Sequence, residues 1–206
     1  MNVEPTVFIV DDDPAFLESF AILVLAMGFK PQTFSSGIEY VNQFDPHVPG
    51  LLILDVRMPV FSGFAVQERL SKQPICPPIV FLTGHADLAT TLRAFKLGAF
   101  DFLQKPLVES EMREVLRKGV ALDADLRREH AKKSEARARL ELLSAPERDV
   151  LDLVLMGMPN KNIASKLAVS QRAVEDRRSR LFRKLRVHSL PSLVQFAVGV
   201  GLPLQK

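Results

Sequence analysis

The chain has 206 residues with 27 Lys/Arg against 24 Asp/Glu, a net charge of +3, and 47% hydrophobic residues. That length suits two small domains or one large one, and the composition supports a buried core. The single cysteine, Cys76, excludes an internal disulfide framework, and no apolar run is long enough to span a bilayer.

Taken in chain order, Thr6–Val10 reads as a buried strand, and Pro14 opens a helix in which Phe16, Phe20, Leu23 and Met27 recur before Gly28 stops it. Lys30–Phe34 is a short strand and Ile38 to Phe44 a short helix. Leu51–Leu54 is a buried strand, and Phe64 to Leu70 is helical. Ile79–Leu82 is a strand. Leu88, Leu92, Phe95 and Leu97 mark a helix closed by Gly98. Phe100–Leu103 is the fifth strand, and Glu109 to Val120 the fifth helix. Five strands alternating with five helices predict an α/β doubly wound parallel sheet with helices on both faces. Residues 123–139, "DADLRREHAKKSEARAR", hold no Gly or Pro and read as a solvated helical linker whose apolar positions keep no heptad. Residues 140–206 divide into four short helices with no strand signal. Ser144 and Glu147 have capping-box spacing, and Ser170 caps the third of these helices. The expected domains are therefore 1–122, a linker over 123–139, and a small all-α domain over 140–206.

Charge divides along the same lines. Residues 1–122 carry 10 basic and 14 acidic side chains, whereas residues 140–206 carry 11 and 6. A basic final domain points to nucleic acid. No secretory leader pattern precedes Asp11, so a cytoplasmic protein is expected, in keeping with the lone thiol.

"TVFIVDDDP" places three acids at the end of the first strand. Two carboxylates about 4 Å apart repel by roughly 4 kcal/mol at an effective dielectric near 20. Ligands of such sheets bind outside the carboxyl ends of the strands. Asp11 and Asp12 follow the first strand, Asp55 ends the third, Thr83 follows the fourth, and Lys105-Pro106 follows the fifth. Carboxylates crowded at one edge want a cation, and Mg²⁺ takes a few carboxylates plus water and phosphate oxygens. Asp55 is then a candidate nucleophile toward a phosphoryl group, with Thr83 and Lys105 stabilising its oxygens.

The blocks "FIVDDDPAF", "LLILDVRMPVFSG", "IVFLTGHAD" and "GAFDFLQKP" resemble the four signature blocks of the response-regulator receiver domain, over residues 5 to about 122. The resemblance implies a flavodoxin-like fold in which Asp55 accepts a phosphoryl group from a sensor histidine kinase. It also implies Asp12 as a direct Mg²⁺ ligand, Asp11 acting through water, and the backbone carbonyl of Arg57 completing the protein ligands. Thr83 and Lys105 would form the switch pair, with Phe102 at the rotating aromatic position. Asp13 has two readings, contact with the metal or its waters, and the start of the first helix, where the dipole favours an acid. His85 either tunes water access to the site or is a loop residue.

In the basic domain, "LSAPERDVLDLVLMGMPNKNIASKLAVSQRAVEDRRSRLFRKL" resembles the LuxR-type DNA-binding domain, and the whole chain resembles the NarL/FixJ class. The third helix would be a recognition helix in the major groove of double-stranded DNA. Val174, Leu181 and Leu185 face the core. Arg172, Glu175, Asp176, Arg177, Arg178, Ser179, Arg180 and Arg183, with Lys161 on the helix before, are the candidate DNA contacts. Ala173, Asp176 and Arg177 depart from the family pattern. An acid at 176 repels phosphates but can accept from a cytosine amino group. The implied protein is a phosphorylation-dependent transcription regulator of a two-component system. The resemblance implies a homodimer on phosphorylation or on DNA, with RNA polymerase as a further candidate partner, and no membrane partner is expected. Two rivals are a metal-dependent phosphohydrolase, disfavoured because Arg57 stands where such enzymes place a second acid, and a DNA-binding protein indifferent to phosphorylation.

Overall fold

The computed structural model describes residues 4–84 and 88–202, and the chain divides into two compact units, Met1–Arg128 and Glu129–Lys206. The first unit holds β1 (Thr6–Val10), α1 (Pro14–Ala26), β2 (Lys30–Phe34), α2 (Gly37–Gln43), β3 (Gly50–Asp55), α3 (Gly63–Leu70), β4 (Ile79–Thr83), α4 (Leu88–Lys96) and β5 (Asp101–Gln104). α5 follows over Glu109–Glu141.

The strands are all parallel, in the order β2-β1-β3-β4-β5. β1, β3 and β4 are buried along their whole length, because helices cover both faces of the sheet. Alternation along the strands separates two apolar layers. Val7, Ile9, Leu51, Ile53, Val80 and Leu82 pack with Phe20, Val24, Met112 and Leu116 of α1 and α5. Phe8, Val10, Leu52, Leu54 and Phe81 pack on the other side with Tyr40, Phe64, Val66, Leu70 and Ala94 of α2, α3 and α4. Gly63 lets α3 start against the third strand: a Cβ there would clash with the Asp55 carbonyl oxygen.

α4 behaves differently from the other helices. Of its residues only Ala94 is buried, and Leu88, Leu92 and Phe95 are exposed. The start of the 123–139 segment is not solvated either. Asp123 is buried; it accepts from the Gly50 amide at 2.9 Å and from Arg127 Nε at 2.7 Å. Arg127 also donates to the carbonyls of Pro46 and Val48 at 2.6 and 2.7 Å, tying α5 to the loop before β3.

The second unit holds α6 (Ala145–Leu155), α7 (Asn160–Lys166), α8 (Gln171–Leu185) and α9 (Leu190–Val200). Its core gathers Val150, Leu151, Val154, Ile163, Leu181 and Leu193, with Val174 and Leu185 fully buried. Glu147, three residues after Ser144, accepts the Ser144 amide at 2.9 Å and Lys184 Nζ at 2.6 Å, with Arg180 Nε at 3.7 Å. This buried carboxylate joins the start of α6 to α8. Among the described residues no helix is long and apolar enough to cross a membrane.

Candidate functional site

Residues at the ends of β1, β3, β4 and β5 meet at the carboxyl edge of the sheet. β1 and β3 are paired in register, Val10 opposite Leu54, so Asp11 and Asp55 leave the sheet at the same level. Lys105 Nζ lies 2.6 Å from Asp11 Oδ2 and 3.4 Å from Asp55 Oδ1. The side chains of Asp11 and Asp55 are 3% and 10% exposed, and that of Lys105 is 25% exposed. One ammonium thus bridges two buried carboxylates, and it sits closer to Asp11. It also rests 3.7 Å from the centre of the Phe16 ring, a cation–π contact that fixes its side chain from below.

Asp55 Oδ2 accepts from the Arg57 amide at 2.6 Å. Burial is the largest influence on Asp55 and raises its pKa. The Arg57 amide opposes this, Asp11 adds to it, and Lys105 opposes it; the balance lies above the usual aspartate range. Thr83 ends β4, buried, and its carbonyl accepts from the Lys105 amide at 2.8 Å, which sets the height of the lysine. The Lys105-Pro106 peptide bond is cis. Phe102 stands opposite Phe81 in the β4–β5 register, half-buried against the α3–α4 side of the core.

Asp13 Oδ1 accepts from the amides of Ala15 at 2.9 Å and Phe16 at 3.3 Å, so it is the N-cap of α1. Asp11 Oδ1 in turn accepts the Asp13 amide at 3.0 Å. Asp12 is exposed. As the side chains stand, no group of three His, Cys, Asp or Glu among the described residues forms a cage for a metal ion. His85 lies outside the described residues.

In the second unit α7 and α8 form a helix-turn-helix. Ala168, in the turn, takes a left-handed conformation with φ of 54°. Ser170 caps α8 by accepting the Ala173 amide at 3.1 Å. Val174, Leu181 and Leu185 bury one face of α8, and Arg172, Glu175, Asp176, Ser179, Arg180 and Arg183 are exposed. Arg177 and Arg178 are half-buried at the flanks. Arg178 donates to Asn160 Oδ1 at 3.0 Å and lies 5.5 Å from the centre of the Phe182 ring, bracing α7 against α8. Lys161 is exposed in the first turn of α7.

The response regulator receiver domain family matches residues 7–117, and the family of bacterial regulatory proteins of the luxR type matches residues 141–197. The chain is a two-component response regulator. It is 37% identical over 192 residues to the response regulator protein TmoT of Ectopseudomonas mendocina, covering 93% of this chain and 87% of that one. It is 36% identical over 201 residues to the transcriptional regulatory protein FixJ of Rhizobium meliloti, covering 95% and 96%. Among solved structures it resembles the response regulator StyR, with a TM-score of 0.81 at 36% identity over 95% of this chain and 98% of that one.

A receiver followed by a LuxR-type domain makes this response regulator a phosphorylation-dependent DNA-binding transcription regulator of the NarL/FixJ class, and not a metabolic enzyme. The domains imply a histidine kinase and DNA as its partners. Sequence reasoning placed Asp11, Asp12, Asp55, Thr83 and Lys105 at one edge; Lys105 meets Asp11 and Asp55 there, Thr83 joins it through the backbone, and Asp12 is exposed. It missed the contact of Phe16 with the lysine, although a residue in the first turn of the helix that follows β1 starts close to the same edge. It also missed the pairing roles of Glu147 and Arg178, whose partners lie 37 and 18 residues away.

Proposed function

We propose that Asp55 is the phosphoacceptor of this response regulator and that its phosphorylation controls DNA binding by α8. The observation that carries the reading is the Lys105 ammonium held between Asp11 and Asp55 at the carboxyl edge of the sheet. An Asp55 carboxylate oxygen attacks the phosphorus of a phosphohistidine. The new O–P bond forms as the P–N bond breaks, and the imidazole nitrogen leaves with the electron pair. The regulator supplies this chemistry to itself, as acceptor and as the catalyst of transfer and later hydrolysis.

The donor set fits Mg²⁺: Asp11, Asp12, Asp55 and the Arg57 carbonyl are all hard oxygen ligands, and two buried carboxylates share a single ammonium. Bound there, Mg²⁺ would neutralise phosphoryl oxygens during transfer. Lys105 would pair with the phosphoryl group once Asp55 carries it, and Thr83 would donate to it. Phe102 then follows Thr83 inward. The surface this changes includes Leu88, Leu92 and Phe95 of α4, whose exposure suits dimerisation. The domains would be the receiver over 1–122, with Asp123 and Arg127 anchored to it, the linker over the rest of 123–139, and the DNA-binding domain over 140–206. Lys161, Arg172, Glu175, Asp176, Arg177, Arg178, Ser179, Arg180 and Arg183 line the DNA side, with Arg178 acting chiefly through its brace to Asn160. A homodimer would bind two half-sites about one helical turn apart. The protein acts in the cytoplasm, with RNA polymerase as a further partner.

The test is phosphate mapping. Incubated with a small phosphodonor and Mg²⁺, the wild type should gain one acid-labile phosphoryl group on the peptide holding Asp55. Chelation of Mg²⁺ or Asp55→Asn should abolish it. Phosphorylation of another residue in the wild type would overturn the assignment.

A further inference from the structure

Asp176 is the one exposed acid of α8 without a partner among the described residues. Glu175 accepts from Gln171 Nε2 at 3.2 Å. The side chain of Asp176 has neither a hydrogen bond nor an ion pair among the described residues, although Arg172 stands four residues before it and Arg180 four after. Arg180 turns instead to Glu147. Helical spacing sets Asp176 beside Arg172 and Arg183, on the face opposite Val174, Leu181 and Leu185.

An unpaired carboxylate in the middle of a basic face opposes binding to phosphates. That cost is offset only by a donor in the groove. A carboxylate accepts and cannot donate, and in the major groove guanine shows two acceptors and thymine an acceptor and a methyl group. Adenine offers an amino group, but its N7 acceptor lies beside it and repels the second carboxylate oxygen. Cytosine offers its amino group with no acceptor alongside.

Asp176 is the sixth residue of α8, in the part of a recognition helix that meets base edges. Arg172 precedes it by about 6 Å along the axis. Base pairs are stacked at about 3.4 Å, so the two side chains reach pairs one or two steps apart. Arginine suits guanine. We infer that Asp176 fixes a cytosine in each half-site, one or two steps from a guanine read by Arg172. This rests on the reading of α8 as the recognition helix.

The experiment is selection from randomised duplex DNA with the full chain, phosphodonor and Mg²⁺, for the wild type, Asp176→Ala and Asp176→Asn. Matching thermal melts establish that the variants are folded. The wild type should select a cytosine, and replacing that C·G pair with T·A should weaken binding by roughly tenfold to a hundredfold. Asp176→Ala should bind both duplexes alike while keeping its preferences elsewhere, and Asp176→Asn should move the preference toward adenine. If Asp176→Ala tightens binding to every sequence and keeps the wild-type preference at every position, the acid only repels phosphates and the inference is wrong. A wild type that enriches no sequence at low salt would remove the DNA-binding reading itself, and this inference with it.

Discussion

Replacing Lys105 with methionine keeps most of the apolar stem of the side chain and removes the ammonium, together with its contact to the Phe16 ring. Asp11 and Asp55 then keep their burial without the ammonium at 2.6 and 3.4 Å. Removing one partner of a buried ion pair costs about 3–5 kcal/mol. The lower end applies here, because a quarter of the lysine side chain meets solvent. For a unit of this size about 3 kcal/mol corresponds to a fall of roughly 10 °C in melting temperature. The assay is simplified by composition: the chain has one tyrosine, Tyr40, and no tryptophan. Tyr40 is buried in the first unit, so tyrosine emission reports the unfolding of that unit alone. Mg²⁺ should restore much of the loss, since a ligand at a hundred times its dissociation constant contributes about 2.7 kcal/mol. If Lys105→Met melts within about 2 °C of the wild type in Mg²⁺-free buffer, the two carboxylates do not depend on the lysine and the reasoning fails.

Three other outcomes follow from the same geometry. Arg127→Met should destabilise the first unit by about 3 kcal/mol, because Asp123 is left buried beside the Gly50 amide alone, and Asp123→Leu in the same chain should recover most of it; urea titration followed by Tyr40 emission measures both. Burial, and then the Asp123 charge, push the Cys76 thiol up to about 11, so alkylation at neutral pH should be on the order of a hundredfold slower than in the unfolded chain. Burial acts to raise the Glu147 carboxyl, but the Lys184 ammonium and the Ser144 amide outweigh it and hold the pKa below the usual range. Its contribution is therefore complete above the ordinary glutamate pKa and lost as pH falls through the lower folded value. Glu147→Gln should cost about 1.5–3 kcal/mol at pH 7, a difference from wild type that closes in acid, read by helical circular dichroism.

The sheet was legible because β1, β3 and β4 are continuous apolar runs that match buried parallel strands. The site was legible for a related reason: functional residues of this fold follow strand ends, and strand ends were visible. Asp13 needed the backbone, since an acid at the start of a helix and an acid near a metal have the same sequence signature. The pairing of Lys105 with Asp11 also needed three dimensions, with 94 residues separating the two. α4 shows the limit of periodicity. Leu88, Leu92 and Phe95 have helical spacing, yet they face outward, because spacing fixes a stripe and not the direction it points. The buried Asp123–Arg127 pair was hidden for the opposite reason, as it sits in a run of charges that composition marks as solvated.

The most direct measurement is operator affinity with and without a phosphodonor in Mg²⁺, for the wild type and Asp55→Asn. The account predicts that the phosphodonor shifts the affinity of the wild type and leaves Asp55→Asn unchanged. Equal affinities for the wild type in both conditions, or an equal shift in both proteins, would contradict it.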